Sequence, residues 1–267
     1  MIRAMMLTLE QYDICWADLS LGEHVYPLQI RSHGRTHEER AHVRRRVYEQ
    51  LTSDGISRGR RLDPELQDAL TLLSRATVWV DMQWLSTTGL STTGLSTPEQ
   101  TGMDRAVGAR SGERGLVARL DAKCLQLTPC RGTSMLRMLM EQLPPSGAAS
   151  GKSITMPRDG LVPSRSGPAE SVYDTSPASG RFWQEYLALE DVLSKPRTRG
   201  GQIVANTHHA TGKRRRSRPV QWFDTDAGRW TTRMLPAQDG AEHLTVSPAD
   251  RTLMVTQVAE LIESIVR

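Results

Sequence analysis

Apolar residues in the first third of the chain recur at helical spacing. Thr8-Leu-Glu-Gln11 has the form of a capping box, and Tyr12, Cys15, Trp16 and Leu19 follow on one face, with Gly22 as a stop. Thr36-His-Glu-Glu39 predicts a second helix with the stripe Val43, Val47, Tyr48 and Leu51, ended by Asp54-Gly55. Asp63-Pro64-Glu65 predicts a third, with an N-cap aspartate, proline at the first helical position, and Leu66, Leu70 and Leu73 as its stripe. Between the first two, Val25 to Ile30 reads as a short extended piece broken by Pro27. The period then changes to two. Val78, Val80, Met82 and Trp84 alternate within a β-rich run from Thr77 to Trp84, which predicts a strand with Trp79 and Trp84 on opposite faces.

Ser-Thr-Thr-Gly-Leu at 86–90 is repeated at 91–95, and the polar run continues to Arg114, so 86–114 is expected to be one long low-complexity loop. Leu116 to Leu120 and Lys123 to Thr128 read as a hairpin around Asp121-Ala122. Thr128-Pro129 is expected to lead into a helix bearing Leu136, Leu139, Met140 and Leu143, stopped by Pro144-Pro145. Ser146 to Gly180 is rich in Pro, Gly and Ser, a linker with one short strand from Ser153 to Met156. Phe182, Tyr186, Leu189 and Leu193 mark the next helix, with Trp183 and Leu187 beside that stripe. Strands are expected at Gln202 to Thr207, Val220 to Phe223, Arg229 to Leu235 and His243 to Val246. Ser247-Pro-Ala-Asp250 opens a last helix with Met254, Val258, Leu261 and Ile265 as its stripe.

The order of elements repeats: helix, strand, long polar loop, strand, turn, strand, helix. Leu73-Ser-Arg75 matches Leu193-Ser-Lys195 at an offset of 120, and Leu125-Gln-Leu-Thr-Pro129 matches Leu244-Thr-Val-Ser-Pro248 at 119. The expectation is one α+β domain over 1–267, built of pseudo-repeats of about 1–145 and 150–267 joined by the linker 144–180. Hairpin connections between the strands predict an antiparallel sheet.

Composition narrows the function classes. The 267 residues are long enough for a real core. No apolar run reaches the ~18–20 residues of a membrane span, and no apolar segment precedes Glu10 as a secretory signal would. Three cysteines exclude a disulfide framework, and a reducing cytosol fits best. The net charge of +4 is local. Eight of the 34 basic residues lie between Lys195 and Pro219 with no acid, leaving 26 basic against 30 acidic elsewhere.

Candidate chemistry is sparse. Ser146 to Ser153 approximates a phosphate loop but lacks its first glycine and the strand that should precede it. His33, His37 and His42 have no HExxH or cysteine partner, so no metal site and no cofactor are expected. Asp224 and Asp226 are paired by spacing, but an Asp-Thr-Asp-Ala-Gly turn accounts for them through side-chain bonds to backbone N–H groups. No catalytic residues are assigned, and the chain is not expected to be an enzyme. Lys213-Arg-Arg-Arg-Ser-Arg218 supports an alternative, a nucleic-acid- or acidic-surface-binding adaptor. No aromatic interleaves with it to stack on bases, so nucleic acid is disfavoured as a partner. Six tryptophans in a chain with 5% aromatic residues are candidate core or interface anchors.

The ordered set Leu7-Thr-Leu-Glu-Gln-Tyr-Asp-Ile-Cys-Trp-Ala-Asp-Leu19, Leu21-Gly, Pro27-Leu, Ser32-His-Gly, Glu38-Glu-Arg and Leu62-Asp-Pro-Glu-Leu-Gln-Asp-Ala-Leu70 resembles the opening of the EspG proteins. Trp222-Phe-Asp-Thr-Asp-Ala-Gly-Arg-Trp230 and Val246-Ser-Pro-Ala-Asp250 resemble their C-terminal part. The resemblance implies a central antiparallel sheet with N- and C-terminal helical bundles and quasi-two-fold symmetry. It implies a cytosolic chaperone of type VII (ESX) secretion that holds the helical tip of the PPE partner in PE–PPE heterodimers, with the secretion machinery as a further partner and no membrane insertion. Carried over by position, the contact regions are the strand Val80 to Trp84, the loop Leu85 to Arg114, and the helices at 181–194 and 249–266. The expected apolar anchors are Val80, Met82, Trp84, Leu85, Trp183, Leu187, Met254, Val258 and Leu261. A charged residue at Trp84 or Met254 is expected to abolish binding while sparing the fold.

Overall fold

The computed structural model describes residues 4–86, 103–158, 177–208, 214–236 and 240–266. The three predicted N-terminal helices form where their caps place them. Helix α1, Leu9–Asp18, is capped by Thr8, whose hydroxyl accepts from the Gln11 N–H while the Gln11 side chain accepts from the Thr8 N–H. Helix α2, His37–Ser53, repeats that box between Thr36 and Glu39. Helix α3, Pro64–Arg75, starts from Asp63, which accepts from the Glu65 N–H. A small hairpin of β2 (Ser57–Arg58) and β3 (Arg61–Leu62) lies between α2 and α3.

Strand β4, Val78–Ser86, matches the alternation read from the sequence. The expected thirty-residue loop after it is corrected. Residues Met103–Ser111 form strand β5, antiparallel to β4 from Leu85↔Met103 to Val78↔Arg110. Only 87–102, including nearly all of the tandem repeat, lies outside the described residues. Strands β6 (Arg114–Leu120) and β7 (Cys124–Arg131) form the expected hairpin, closed by Asp121 accepting from the Lys123 and Cys124 N–H groups. Thr128-Pro129 is inside β7 rather than at a helix start. The edge strand β1, Met5–Thr8, pairs with β7 only as far as Leu127, and proline is tolerated on the open edge beyond. Helix α4 is correspondingly short, Met135–Met140, entered by a 3-10 turn. Val25 to Ile30 forms no strand.

The second half contributes β8 (Ile154–Pro157), α5 (Pro177–Ser194), β9 (Arg199–His208), β10 (Arg214–Arg216), β11 (Val220–Thr225), β12 (Gly228–Pro236), β13 (Glu242–Pro248) and α6 (Arg251–Val266). Part of the expected basic loop is therefore a strand, because Arg214–Arg216 pairs with Asn206–His208. The start of the expected linker is also bound to the sheet. Ala149 N–H donates to the Arg229 carbonyl and Arg229 N–H to that of Gly147.

All strands except the small hairpin join one antiparallel sheet in the order β1-β7-β6-β5-β4-β9-β11-β12-β13-β8, with β10 also on β9. The two halves meet in the β4–β9 pairing, Val78↔Thr207 through Ser86↔Arg199. Outward from that pair the strands run β5, β6, β7, β1 in the first half and β11, β12, β13, β8 in the second.

Register decides which residues share a face. Trp79 packs with α1, α2 and α3 against Val107, Ala118 and Leu125. Leu85, Gly200, Phe223 and Trp230 lie opposite one another across β4, β9, β11 and β12, three pleats on from Trp79. They share its face, and Phe223 and Trp230 pack there against α5 through Leu189 and Val192. The other face carries Val80, Met82, Trp84, Ile203, Ala205 and Trp222 under α4 and α6. The sheet thus has α1–α3 and α5 on one side and α4 and α6 on the other.

Candidate functional site: a groove on the central strands

Among the described residues nothing covers the sheet's centre between the N-terminal bundle and α5. A groove of about 590 Å³ runs there, with Leu85, Met103, Leu193, Phe223 and Leu244 as its apolar walls. Its floor includes the amide row Gln83, Gln202 and Gln221, which register places side by side on β4, β9 and β11. Arg197 and Arg199 stand at its rim, with the Arg197 guanidinium 4.5 Å from the Phe223 ring centre. The lining contains no Asp, Glu, His, Cys, Lys, Ser or Tyr.

Two adjacent glycines explain why the groove exists. A Cβ on Gly200 would meet only the Trp222 carbonyl at 3.4 Å and the Phe223 Cβ at 3.7 Å, ordinary contacts, and would point into the groove. A Cβ on Gly201 would lie 2.4 Å from the Gln83 carbonyl, 2.7 Å from the Trp84 Cβ and 3.0 Å from the Trp222 Nε1. Gly201 lets two tryptophans close over the α4/α6 face, and Gly200 leaves the opposite face open.

The expected anchors divide by face. Val80, Met82, Trp84, Met254 and Val258 are at most 2% exposed and Leu261 7% exposed, all in the cluster beneath α4 and α6. As surface anchors they are corrected: the alternation groups them rightly, but the face they share is the closed one. Leu85 is 38% exposed, Trp183 57% and Leu187 58%. Met103 and Leu193, 46% and 38% exposed, belong with them and were not read from the sequence. The sequence pattern places Met103 in a loop and Leu193 on a helical stripe. On α5 that stripe is carried by Leu189 and Val192, with Phe182 and Tyr186 partly buried. Trp183 packs edge-on against Tyr186, ring centres 5.7 Å apart, and remains outside.

Electrostatics on the groove's face centre on Asp81, two residues before Gln83 and 3% exposed. Asn206 Nδ2 donates to its Oδ2 at 3.0 Å, and Arg214 Nη2 lies 3.4 Å from the same oxygen. Burial raises its pKa to about 6, against the opposing pull of Asn206 and Arg214. Arg214 also donates to Asn206 Oδ1 at 2.7 and 3.1 Å and lies over Trp79. Arg216 lies over Tyr26, whose hydroxyl donates to Gln83. Arg218 pairs with Glu242. The cations 214, 216 and 218 of the basic run thus have partners within the chain, while Lys213 lies outside the described residues.

Other sequence candidates have structural roles. Asp224 does not serve its turn. It accepts from Arg229 at 2.7 and 2.9 Å, both residues buried, and Thr225 Oγ1 makes the turn bond to the Ala227 N–H instead. His33 and Arg40 both bind the buried Asp13. Burial raises that carboxyl's pKa, but the bonds from Arg40 and the His33 N–H outweigh burial and hold it low. Burial pushes the Cys15 thiol up to about 12, and all three cysteines are free. Among the described residues no group of three His, Cys, Asp or Glu side chains could hold a metal ion, and no helix is long and apolar enough to cross a membrane.

No curated protein matches this chain. A solved structure that it resembles is the Mycobacterium tuberculosis type VII secretion system chaperone EspG5 in complex with the PE25-PPE41 dimer. That likeness has a TM-score of 0.69 at 13% identity, over 98% of this chain and 97% of that one. Such identity speaks for the fold, a large antiparallel sheet with helices on both faces. The EspG family model matches residues 8–260, nearly the whole chain, and the chain belongs to the EspG family.

Proposed function

We propose that this protein is a cytosolic chaperone of type VII secretion that binds PE–PPE heterodimers at the helical tip of the PPE partner. Family membership and the fold shared with a chaperone solved with a PE–PPE dimer support that reading. The single observation that carries it is the uncovered groove, where Leu85, Met103 and Leu193 stay exposed around a floor that Gly200 keeps clear. A secretion substrate with an apolar helical tip self-associates unless that tip is covered. A groove of this kind covers it reversibly, and binding stabilises the client by RT ln(1 + [L]/Kd), about 2.7 kcal/mol at a hundredfold excess over Kd.

In this reading Leu85, Met103 and Leu193 contact the client directly, with Trp183 and Leu187 extending the apolar strip along α5. Val80, Met82, Trp84, Met254, Val258 and Leu261 hold the platform from behind. A groove lined by amides, alkyl groups and arginines offers no acid or base, which favours binding over catalysis. No observation favours the nucleic-acid adaptor, because the basic run is largely engaged inside the chain.

Affinity purification of the tagged protein from its own cytosol, followed by size-exclusion chromatography and mass spectrometry, tests the proposal. A stoichiometric PE–PPE pair is the expected companion. A protein that elutes alone, or with nucleic acid, would reduce the family relation to one of fold.

A further inference from the structure

The chain has two concentrations of arginine, and they differ in what surrounds them. In the conspicuous stretch after Lys195, Lys195 pairs with Asp191, Arg199 with Asp224, Arg214 with Asp81 and Arg218 with Glu242. The second concentration is spread over residues 31–61, where nine arginines face four acids. On α2, Arg40, Arg44 and Arg46 pair with Asp13, Asp18 and Glu10 of α1, and Arg45 bonds His42. The β2–β3 hairpin is different. Gly59, at φ 61°, makes a tight turn that gathers Arg58, Arg60 and Arg61, all exposed. Beyond the backbone pairing of Arg58 with Arg61, none of the three side chains has an ion pair, hydrogen bond or ring contact among the described residues. Like charges this close repel one another, and their field points outward.

Arg60 and Arg61 form one wall of a shallow pocket of about 610 Å³, with Arg44, Tyr48, Leu19 and Leu62 on its other sides. Asp18 lies in the same pocket but is held by Arg44 at 2.6 Å, so it does not neutralise the hairpin. The Arg44 Nε is buried without a hydrogen-bond partner among the described residues. We infer that this pocket and hairpin are a docking site for an acidic segment of a second protein, which gives carboxylates to Arg60 and Arg61 and an apolar side chain to the partly exposed Leu19. Arginine is suited to that work because its planar fork takes carboxylates bidentately. Nucleic acid fits less well, since Tyr48 is only 8% exposed and no other aromatic lines the pocket to stack on bases. A bilayer fits less well, since the hairpin has no exposed large apolar side chain to insert. The pocket shares no residue with the groove, so both can be occupied at once.

Fluorescence anisotropy of a labelled short peptide of alternating Glu and Leu, titrated with the whole protein, tests this. The expected result is binding that weakens steeply from roughly 0.05 M to about 0.5 M salt, and that falls at least about tenfold in Arg60→Glu/Arg61→Glu with circular dichroism unchanged. The milder Arg60→Gln/Arg61→Gln is expected to fall less. No binding by the parent protein, equal binding by the double variants, or tighter binding of single-stranded DNA or phosphatidylserine vesicles than of the peptide would overturn the inference. Copurification of the PE–PPE pair by the Glu variant is expected to be unchanged, which separates this site from the groove.

Discussion

The two faces of strand β4 belong to one segment of nine residues and have opposite fates. Val80, Met82 and Trp84 are sealed under α4 and α6, while Gln83 and Leu85, between and beyond them, look into an open groove. Strand alternation creates both faces at once, and among the described residues helices cover one of them at this point. A substitution on one face should therefore test the fold, and on the other the binding of a partner.

The largest effect is expected on the closed face. Trp84→Arg or Met254→Asp places a charge where exposure is 2% or less and should cost at least the ~3–5 kcal/mol typical of large core truncations, with global loss of structure. Circular dichroism and denaturant unfolding read this out. The sequence alone suggests that these variants spare the fold, and their burial reverses that expectation.

Asp81 sharpens the comparison because it lies on the groove's face yet is buried. Its pKa is raised from 3.8 to about 6, so the folded protein holds this proton more tightly than the unfolded chain. This group's contribution to stability therefore grows as pH falls from about 7 through 6 toward 4, and is unfavourable above that window. Asp81→Asn should remove that slope and raise neutral-pH stability, with an upper bound of about 3 kcal/mol from a two-unit shift. The difference in melting temperature between parent and variant across pH is the readout. Asp13 and Asp121, both held low, act in the opposite direction in each protein and cancel in that difference.

Gly201→Ala is expected to cost less, about 1–3 kcal/mol, because the new methyl group meets the Gln83 carbonyl and the Trp84 Cβ. Leu85→Asp should change stability by no more than about 0.5 kcal/mol, since the side chain is exposed. Its effect should appear in client binding measured by calorimetry.

Local signals were legible from the chain. Thr8, Thr36 and Asp63 set helix starts because a cap is decided by a residue and its third neighbour. The alternation from Val78 to Trp84 identified β4 and grouped the right residues. It could not say which face the helices cover, because that depends on α6, some 170 residues away. Strand β5 was hidden because Met103-Asp-Arg-Ala-Val-Gly-Ala-Arg-Ser111 has little β character of its own and is held by β4 and β6 on either side. The basic run looked free because Asp81 lies 133 residues before Arg214. The arginines whose side chains have no partner among the described residues, at the β2–β3 turn, are inconspicuous in a chain with 34 basic residues.

The central claim is that the open face of β4 and β9 is the client site, and Gly200→Leu tests it most directly. Its Cβ has room, so the fold should keep its melting temperature while the side chain fills the groove. The measurement is the affinity of the folded variant for a purified PE–PPE pair. The account predicts weakening by at least about a hundredfold, near 2.7 kcal/mol. A variant that melts like the parent and binds the pair as tightly would contradict it and move the client site off this groove.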